Sequence, residues 1–214
     1  PNIPIARLAY NTESEISTYL RKLKRQESNE YTGIVENDKW RNRLVHLNGG
    51  GADSWRSIQS WVERFEGVLN GSPYDPFIYE YIKSSSSPVQ FTKLEEIFNA
   101  INEGANLMTF FGHASSETLS IDIDRENDYK NYDQMPIMLA LGCSSGNLSI
   151  LGESVGESYC KYDQGGYMGA FANSHFGFVS QLGIIGETFY EKCFSNTEGE
   201  TVGQVITETL SDVY

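Results

Sequence analysis

Short apolar runs alternate with amphipathic stretches of helical period along almost the whole of this 214-residue chain. Three of the runs are RLVHLNG at 43–49, NLMTFFG at 106–112 and PIMLALG at 136–142. Apolar runs of this length, each followed by a helical pattern, are typical of strands that are buried on both faces of a parallel sheet. The alternation predicts an α/β fold, in which helices cover both faces of a parallel sheet.

The first predicted strand is IPIARLAY at 3–10, and a helix is expected to begin after it near Asn11 or Thr12, with Glu15 in its first turn. Arg7, within that strand, is interpreted as a buried or half-buried ion-pair partner. The polar stretch SSSSP at 84–88 is interpreted as a linker. The chain begins with Pro1 and still has a helical pattern at its end, so we interpret it as a fragment or a processed chain.

Four predicted strands end in polar or glycine-rich turns. The turns are NGGGAD at 48–53, GHASS at 112–116, GCSSGN at 142–147 and ANSHFG at 172–177. Ligands of open α/β sheets bind outside the carboxyl ends of the strands. We therefore expect all four turns to lie along the functional edge of the sheet.

Two of these turns carry side chains that can do chemistry. His113 ends one apolar run, and Cys143 follows another 30 residues later (143 − 113). The small residues around Cys143 leave its thiol accessible and its backbone N–H groups free to face a substrate. An imidazole nearby can hold the thiol as a thiolate or take its proton. The pair predicts a peptidase, whereas a metal site formed by His113, Cys143 and His175 is the weaker alternative because their spacing does not match a zinc motif.

Net charge limits the partners of the chain. The total is -13, and residues 101–214 hold 4 Lys and Arg against 16 Asp and Glu, which gives −12 of it. Nucleic acid is excluded as a partner because phosphate binding needs a cationic face. A cationic ligand would be attracted to this half, although an acidic surface that only maintains solubility is an equal alternative. No segment reaches the length of apolar sequence that a transmembrane helix requires.

Other polar groups allow two interpretations each. Asp122, Asp124 and Asp128 form an acidic loop, for which solvation is favoured over a structural calcium site because the glycine and glutamate of an EF-hand are absent. Cys160 and Cys193 fall on helical stretches among apolar residues and are interpreted as packed thiols. The alternative, a disulfide between them, requires their Cα atoms to approach within about 7 Å.

The motifs resemble those of gingipain-type cysteine peptidases, whose catalytic domain is related to the caspases. IPIARLAYNTESEISTYLRKL is similar to the family's arginine-containing strand and its helix, FFGHASSETL to its histidine motif, and LALGCSSGN to its cysteine motif. GGYMGAFANSHFGFVSQ and GIIGETFYEKCF are similar to the strand and helix that follow. The resemblance covers nearly the whole chain, so residues 1–214 are expected to be one catalytic α/β domain that lacks the first portion of the family's unit.

The resemblance assigns roles to individual residues. It makes Cys143 the nucleophile and His113 the general acid and base, with the oxyanion held by the N–H of Cys143 and that of Gly112 or Ala114. The family usually has glycine where this sequence has Ala114. An acidic residue that orients the histidine is not assigned and is expected in the absent portion. The substrate-binding residues implied by the resemblance are Asn173, Ser174, His175, Phe176 and Phe178.

The resemblance also implies a setting. It implies a peptide or protein substrate with basic residues at the cleavage site, a secreted or bacterial cell-surface location and no cofactor. The role implied is secreted proteolysis or the processing of cargo, as by the sortase-like peptidase of the type IX secretion system, whose other proteins are then candidate partners. The alternative is a non-catalytic gingipain-like module that acts as a binding or scaffold domain of a surface complex. An α/β hydrolase that uses a serine nucleophile is the least favoured alternative.

Overall fold

The computed structural model describes residues 3–28, 38–70, 72–83, 87, 89, 93–195 and 199–214. Its strands are β1 Arg43–Gly49, β2 Phe77–Ile82, β3 Leu107–Gly112, β4 Ile137–Leu141 and β5 Gly169–Ala172. The α-helices are α1 Glu13–Ser28, α2 Trp55–Leu69, α3 Leu94–Asn102, α4 Val155–Lys161, α5 Val179–Ser195 and α6 Val202–Val213. Except for residue 87, the predicted linker at 84–88 lies outside the described residues.

The five strands form one parallel sheet in the order β2-β1-β3-β4-β5. β3 lies at the centre, and all but its last residue are buried. Two apolar clusters fill the space between the sheet and its helices. One lies under α3 and α4 and the other under α2 and α5. The predicted α/β architecture, with helices on both faces of a parallel sheet, is confirmed.

A buried polar chain connects the sheet to α2 and α5. The ring of His46 on β1 contacts the carboxylate of Glu66 on α2 at 3.0 Å and the hydroxyl of Tyr190 on α5 at 2.7 Å. The same hydroxyl lies 2.8 Å from Thr109 Oγ1 on β3. Because these polar groups satisfy one another away from water, they fix α2 and α5 relative to the two central strands.

Helix α1 begins where its capping residues predict. The Thr12 hydroxyl accepts the N–H of Glu15 at 3.3 Å, and the Glu15 carboxylate accepts the N–H groups of Asn11 and Thr12 at 2.7 and 3.0 Å. These contacts satisfy backbone donors that have no partner inside the helix. The predicted start near Asn11 or Thr12 is confirmed.

Lys22 links α1 to the end of α4 and to the loop between α4 and β5 through hydrogen bonds. Its side chain is fully buried, and Nζ donates to the carbonyls of Cys160, Gly165 and Tyr167 at 3.0, 2.7 and 3.3 Å. Burial lowers the pKa of Lys22 to about 8. Three carbonyl acceptors supply the hydrogen bonds that a buried ammonium group needs.

The predicted strand at 3–10 is wrong, because residues 3–11 adopt no regular secondary structure. Strands are stabilised by pairing, and this segment pairs with no strand of the described residues. Ile5 is 92% exposed, and Arg7 is exposed as well. The expectation that Arg7 is a buried or half-buried ion-pair partner is therefore also wrong. None of the described helices is both long enough and apolar enough to cross a membrane.

Candidate active site

Cys143 lies two residues beyond the end of β4, in a tight turn that leaves its side chain half-buried. Its Sγ atom is 3.5 Å from both the carbonyl oxygen and the N–H nitrogen of Gly177. Ser144, the next residue, has a φ of 55°, a conformation that L-residues other than Asn and Asp seldom adopt. The backbone of this turn is therefore locally strained at Ser144.

Hydrogen bonds join the cysteine turn to the turn that follows β5. The N–H of Ser144 donates to the carbonyl of His175 at 2.7 Å, and the N–H of Gly146 donates to that of Asn173 at 2.9 Å. Among the described residues, no protein acceptor takes the N–H of Cys143. This donor is thus free to face a bound group next to the thiol.

His113 directly follows β3, and its side chain is exposed. Its Nε2 atom lies 2.9 Å from the hydroxyl oxygen of Ser54, which precedes α2. The same oxygen accepts the N–H of Gly51 at 3.2 Å. The turn after β1 therefore reaches the imidazole ring of His113.

The backbone of His113 is held by the same turn. Its N–H donates to the carbonyl of Gly49 at 3.3 Å, and its carbonyl accepts the N–H of Ser120 at 2.9 Å. The Ser120 hydroxyl also donates to the Gly49 carbonyl, at 2.6 Å. Both the main chain and the ring of His113 are thus held by contacts with the turn after β1.

His113 and Cys143 make their contacts on the same side of the sheet. Phe111 on β3 and Leu141 on β4 are paired in register, and both pack into the cluster under α2 and α5. His113 and Cys143 follow these core residues by two positions, just beyond the strand ends. His113 contacts the turn before α2, and Cys143 contacts Gly177 before α5. Both contacts therefore lie towards the helices that cover this face.

The turns after β3 and β4 also pack directly on each other. A Cβ atom on Gly142 would lie 2.6 Å from the Cβ of Ala114, which is closer than side chains approach. Gly142 precedes the cysteine, and Ala114 follows the histidine. Glycine at 142 is therefore required for this close approach.

The histidine and cysteine turns thus lie at one edge of a five-stranded parallel sheet. The sequence model for Peptidase family C25 matches residues 1–214. The chain belongs to Peptidase family C25, the gingipain family. No curated protein sequence matches it.

Solved structures of gingipains share the fold of this C25 chain. The Arg-specific cysteine proteinase gingipain R is 16% identical with a TM-score of 0.73, over 98% of this chain and 49% of that one. The complex of the pro- and mature domains of RgpB from Porphyromonas gingivalis is 16% identical with a TM-score of 0.78, over 99% and 51%. A further structure, of a protein described as a protease, is 12% identical with a TM-score of 0.70, over 97% and 49%. The C25 chain thus spans about half the length of these proteins.

The predicted substrate-binding residues of the C25 chain lie together beside Cys143, in the turn after β5. Phe176 and Phe178 are 79% and 72% exposed, and the rings of His175 and Phe176 are 4.9 Å apart. Asn173 Nδ2 donates to the carbonyl of His175 at 2.5 Å. Ser174 is exposed at the tip of the turn. The turn therefore presents aromatic surface to solvent next to the thiol.

Two carboxylates of the acidic loop accept hydrogen bonds from other side chains of the protein. Asp122 accepts from Arg125 at 3.0 Å, and Asp124 accepts the hydroxyl of Tyr162 at 2.6 Å. Asp128 lies in a short 3₁₀ turn. Within the part of the C25 chain that the structure describes, no group of three His, Cys, Asp or Glu residues is arranged to hold a metal ion.

The other two cysteines pack on opposite faces of the sheet. Cys160 on α4 contacts the cluster under α3 and α4, whereas Cys193 on α5 contacts the other cluster. All three cysteines are free, so the two are packed thiols as predicted and the sheet separates them. Burial raises the pKa of Cys160 to about 11 and that of Cys193 to about 12.

A cavity of about 1300 Å³ lies away from the histidine and cysteine turns. It lies at the outer side of β5, between residues 3–10, α4 and α6, and its lining includes Cys160 but neither His113 nor Cys143. The histidine and cysteine turns instead lie at the open carboxyl edge of the sheet, where ligands of α/β sheets bind.

The sequence predicts His113 and Cys143 as site residues but not Ser54. The turn at 48–53 is predicted at the carboxyl edge of the sheet, and Ser54 directly follows it. Nothing in the local sequence connects its hydroxyl with a histidine 59 residues away. Only the pairing of β1 with β3 brings the two together.

Proposed function

We propose that the chain is a cysteine endopeptidase in which His113 and Cys143 form the catalytic dyad. The observation that carries the proposal is the common placement of the two residues. Each lies just beyond the end of one of two paired parallel strands, two positions after a core residue on the same sheet face. Neighbouring strands are about 4.8 Å apart, so their ends bring both groups to one substrate.

The chemistry follows from these two groups. The Cys143 thiolate attacks the carbonyl carbon of the scissile peptide bond, and His113 holds the proton that the thiol has lost. When the carbon–nitrogen bond breaks, this proton passes to the leaving amine and a thioester remains. Water then attacks the thioester, giving one proton to His113, and the thiolate leaves as the carboxylic acid product forms. The thiolate and His113 end in their starting states.

Backbone N–H groups would stabilise the oxyanion that forms during attack. Among the described residues, none accepts the N–H of Cys143, and Ala114 is the better of the two candidates for the second donor. The N–H of His113 points towards β1, so the next N–H points towards β4 by alternation. Gly112 is still part of β3, where N–H groups belong to the sheet ladder. An alanine supplies this N–H as well as a glycine does, so Ala114 is compatible with the role.

The substrate is proposed to be a peptide or protein that binds across the turn after β5. Phe176 and Phe178 supply exposed apolar contacts there. Exposed carboxylates of Asp53 and Glu117 lie on the turns after β1 and β3, in keeping with a preference for basic residues at the cleavage site. No single carboxylate is assigned to a specificity pocket.

The proposed location is the bacterial cell surface or the extracellular medium. This part of the proposal is supported by membership of the gingipain family rather than by the geometry of the site. The processing of type IX secretion cargo, with contacts to other proteins of that system, is the role proposed in this setting. A protein that contains this chain is expected in the secreted or surface fraction of its cells.

Replacing the nucleophile tests the proposed activity. Cys143→Ala should abolish cleavage of peptides that contain Arg or Lys, because no other thiol lies in the candidate site. Cys193→Ala is the matched control and should retain cleavage, since that thiol packs under α5. Circular dichroism of both variants checks that the fold is kept.

The outcome separates two functions. Cleavage that persists in Cys143→Ala contradicts the proposed dyad. A folded wild-type chain that binds peptides without cleaving them would instead favour the alternative of a gingipain-like binding or scaffold module.

A further inference from the structure

The imidazole of His113 has one side-chain partner among the described residues, and it is a neutral hydroxyl. Ser54 Oγ lies 2.9 Å from Nε2 of His113. In catalytic triads a third group fixes the tautomer and orientation of the histidine, and this group is commonly a carboxylate. Here the serine occupies the place of such a group.

The Ser54 hydroxyl does not cap helix α2 and can therefore contact His113. Although Ser54 is the N-cap residue of α2, its side chain makes no capping hydrogen bond. Its oxygen accepts the N–H of Gly51 at 3.2 Å, which leaves a second lone pair for the imidazole. The hydroxyl is thus oriented by the backbone and directed at His113.

The turn after β1 is shaped to approach the ring closely. A Cβ atom on Gly51 would lie 3.4 Å from Nε2 of His113, which is van der Waals contact, so the turn reaches the ring. The carbonyl of Gly51 accepts the N–H groups of Ser54 and Trp55 at 3.1 and 2.9 Å, which fixes Ser54 relative to the turn. The hydroxyl is therefore held by the fold and does not depend on a flexible side chain.

We propose that Ser54 is a positioning residue of the peptidase site: its hydroxyl oxygen accepts the Nε2 proton of His113 and leaves Nδ1 to exchange a proton with Cys143. This inference rests on the proposed dyad. With Nε2 protonated, a neutral ring has its free lone pair on Nδ1 and can take the thiol proton there. In the imidazolium form both nitrogens carry protons, and Ser54 still accepts from one of them.

A neutral acceptor has a measurable consequence. A carboxylate would stabilise the imidazolium through its charge, whereas a hydroxyl does so only through one hydrogen bond. The thiolate–imidazolium pair should therefore be sensitive to the chemistry at position 54. The rate at which iodoacetamide alkylates Cys143 reports the thiolate and needs no known substrate.

The test is the pH profile of Cys143 alkylation in the full chain and its variants. At about pH 6, Ser54→Ala should lower the rate roughly tenfold, the size expected from losing one hydrogen bond to a charged group. Ser54→Thr keeps a hydroxyl and should restore the rate. Ser54→Asp adds a charge that stabilises the imidazolium and with it the thiolate, so fast alkylation should extend to lower pH. Ser57→Ala is the matched control, because Ser57 is an exposed serine in the first turn of the same helix.

The outcomes distinguish this inference from the proposed function. If His113→Ala slows alkylation but Ser54→Ala leaves the profile unchanged, the positioning role is overturned and the dyad stands. If His113→Ala also has no effect, the dyad itself is overturned.

The tautomer of the His113 ring can also be measured in the unmodified chain, which does not depend on the folding of Ser54→Ala. Nitrogen-15 NMR of the His113 ring in its neutral form should show the proton on Nε2. A proton on Nδ1 would make Ser54 the donor and would overturn the inference.

Discussion

At the scale of single residues, the three thiols of the chain differ in their surroundings. Cys143 lies in a turn at the open edge of the sheet, whereas Cys160 and Cys193 lie on helices against the two apolar clusters. Burial favours the uncharged thiol over the thiolate, which raises the pKa of Cys160 to about 11 and that of Cys193 to about 12. The reactive form is thus suppressed at the two buried positions.

Selective alkylation is therefore expected. Near pH 8, roughly one Cys160 thiol in a thousand and one Cys193 thiol in ten thousand are ionised. Iodoacetamide should modify Cys143 first, as determined by peptide mass spectrometry of samples quenched over time. In chemically unfolded chain the three cysteines should react at similar rates, which is the control. Equal rates in the folded chain would contradict the difference in environment.

At the scale of secondary-structure elements, the position of α5 decides what faces Cys143. Gly177, two residues before α5 begins, provides both backbone contacts to the thiol. Glycines let α5 lie close to α2: a Cβ on Gly186 would be 2.4 Å from the ring of Phe65, and one on Gly183 would be 2.2 Å from that of Trp61. Any side chain at these positions must push the helices apart.

Gly186→Ala should therefore destabilise the fold by about 1–3 kcal/mol, as overpacking of a core does. The displacement of α5 should also lower cleavage, because it moves the backbone beside Cys143. Gly67→Ala on α2 is the matched control: nothing lies within 4 Å of its Cβ position, so it should stabilise the helix by about 0.5–1 kcal/mol. Urea denaturation of the two variants measures both effects. A Gly186→Ala variant as stable as wild type would show that α5 is not held this tightly.

At the scale of the whole molecule, buried titratable groups make stability depend on pH. Cys160 and Cys193 have pKa values raised from 9.0 to about 11 and about 12, so the folded state keeps protons that the unfolded state loses above pH 9.0. Stability must then fall as pH rises through this range, by about 1.4 kcal/mol per pH unit for each thiol. Lys22 acts in the opposite direction, because its pKa is lowered from 10.5 to about 8 and the folded state releases its proton first. Two thiols act against this one amine, and above pH 10 tyrosines whose pKa values are raised by burial, such as Tyr159 and Tyr190, add to the effect of the thiols.

The free energy of unfolding should therefore decrease steadily above about pH 9. Urea denaturation at a series of alkaline pH values measures the slope. The double variant Cys160→Ala, Cys193→Ala should show a smaller slope, whatever its absolute stability. An equal slope in the variant would contradict the assignment of the effect to the thiols.

The sequence by itself indicated the central strands β1, β3 and β4, and it placed His113 and Cys143 just beyond the ends of two of them. These features are local, because side-chain periodicity follows from backbone geometry over a few residues. They predicted an α/β sheet with His113 and Cys143 at its carboxyl edge.

Only the tertiary structure decided the rest. It brought Ser54 to His113 through the pairing of β1 with β3, and it put Cys160 and Cys193 on opposite faces of the sheet. It also left residues 3–11 unpaired with any strand of the described part of the chain, although their apolar pattern predicted a strand. The physical reason is that these outcomes depend on which distant segments pack together. A local pattern does not encode that choice, because it requires the packing of the whole chain.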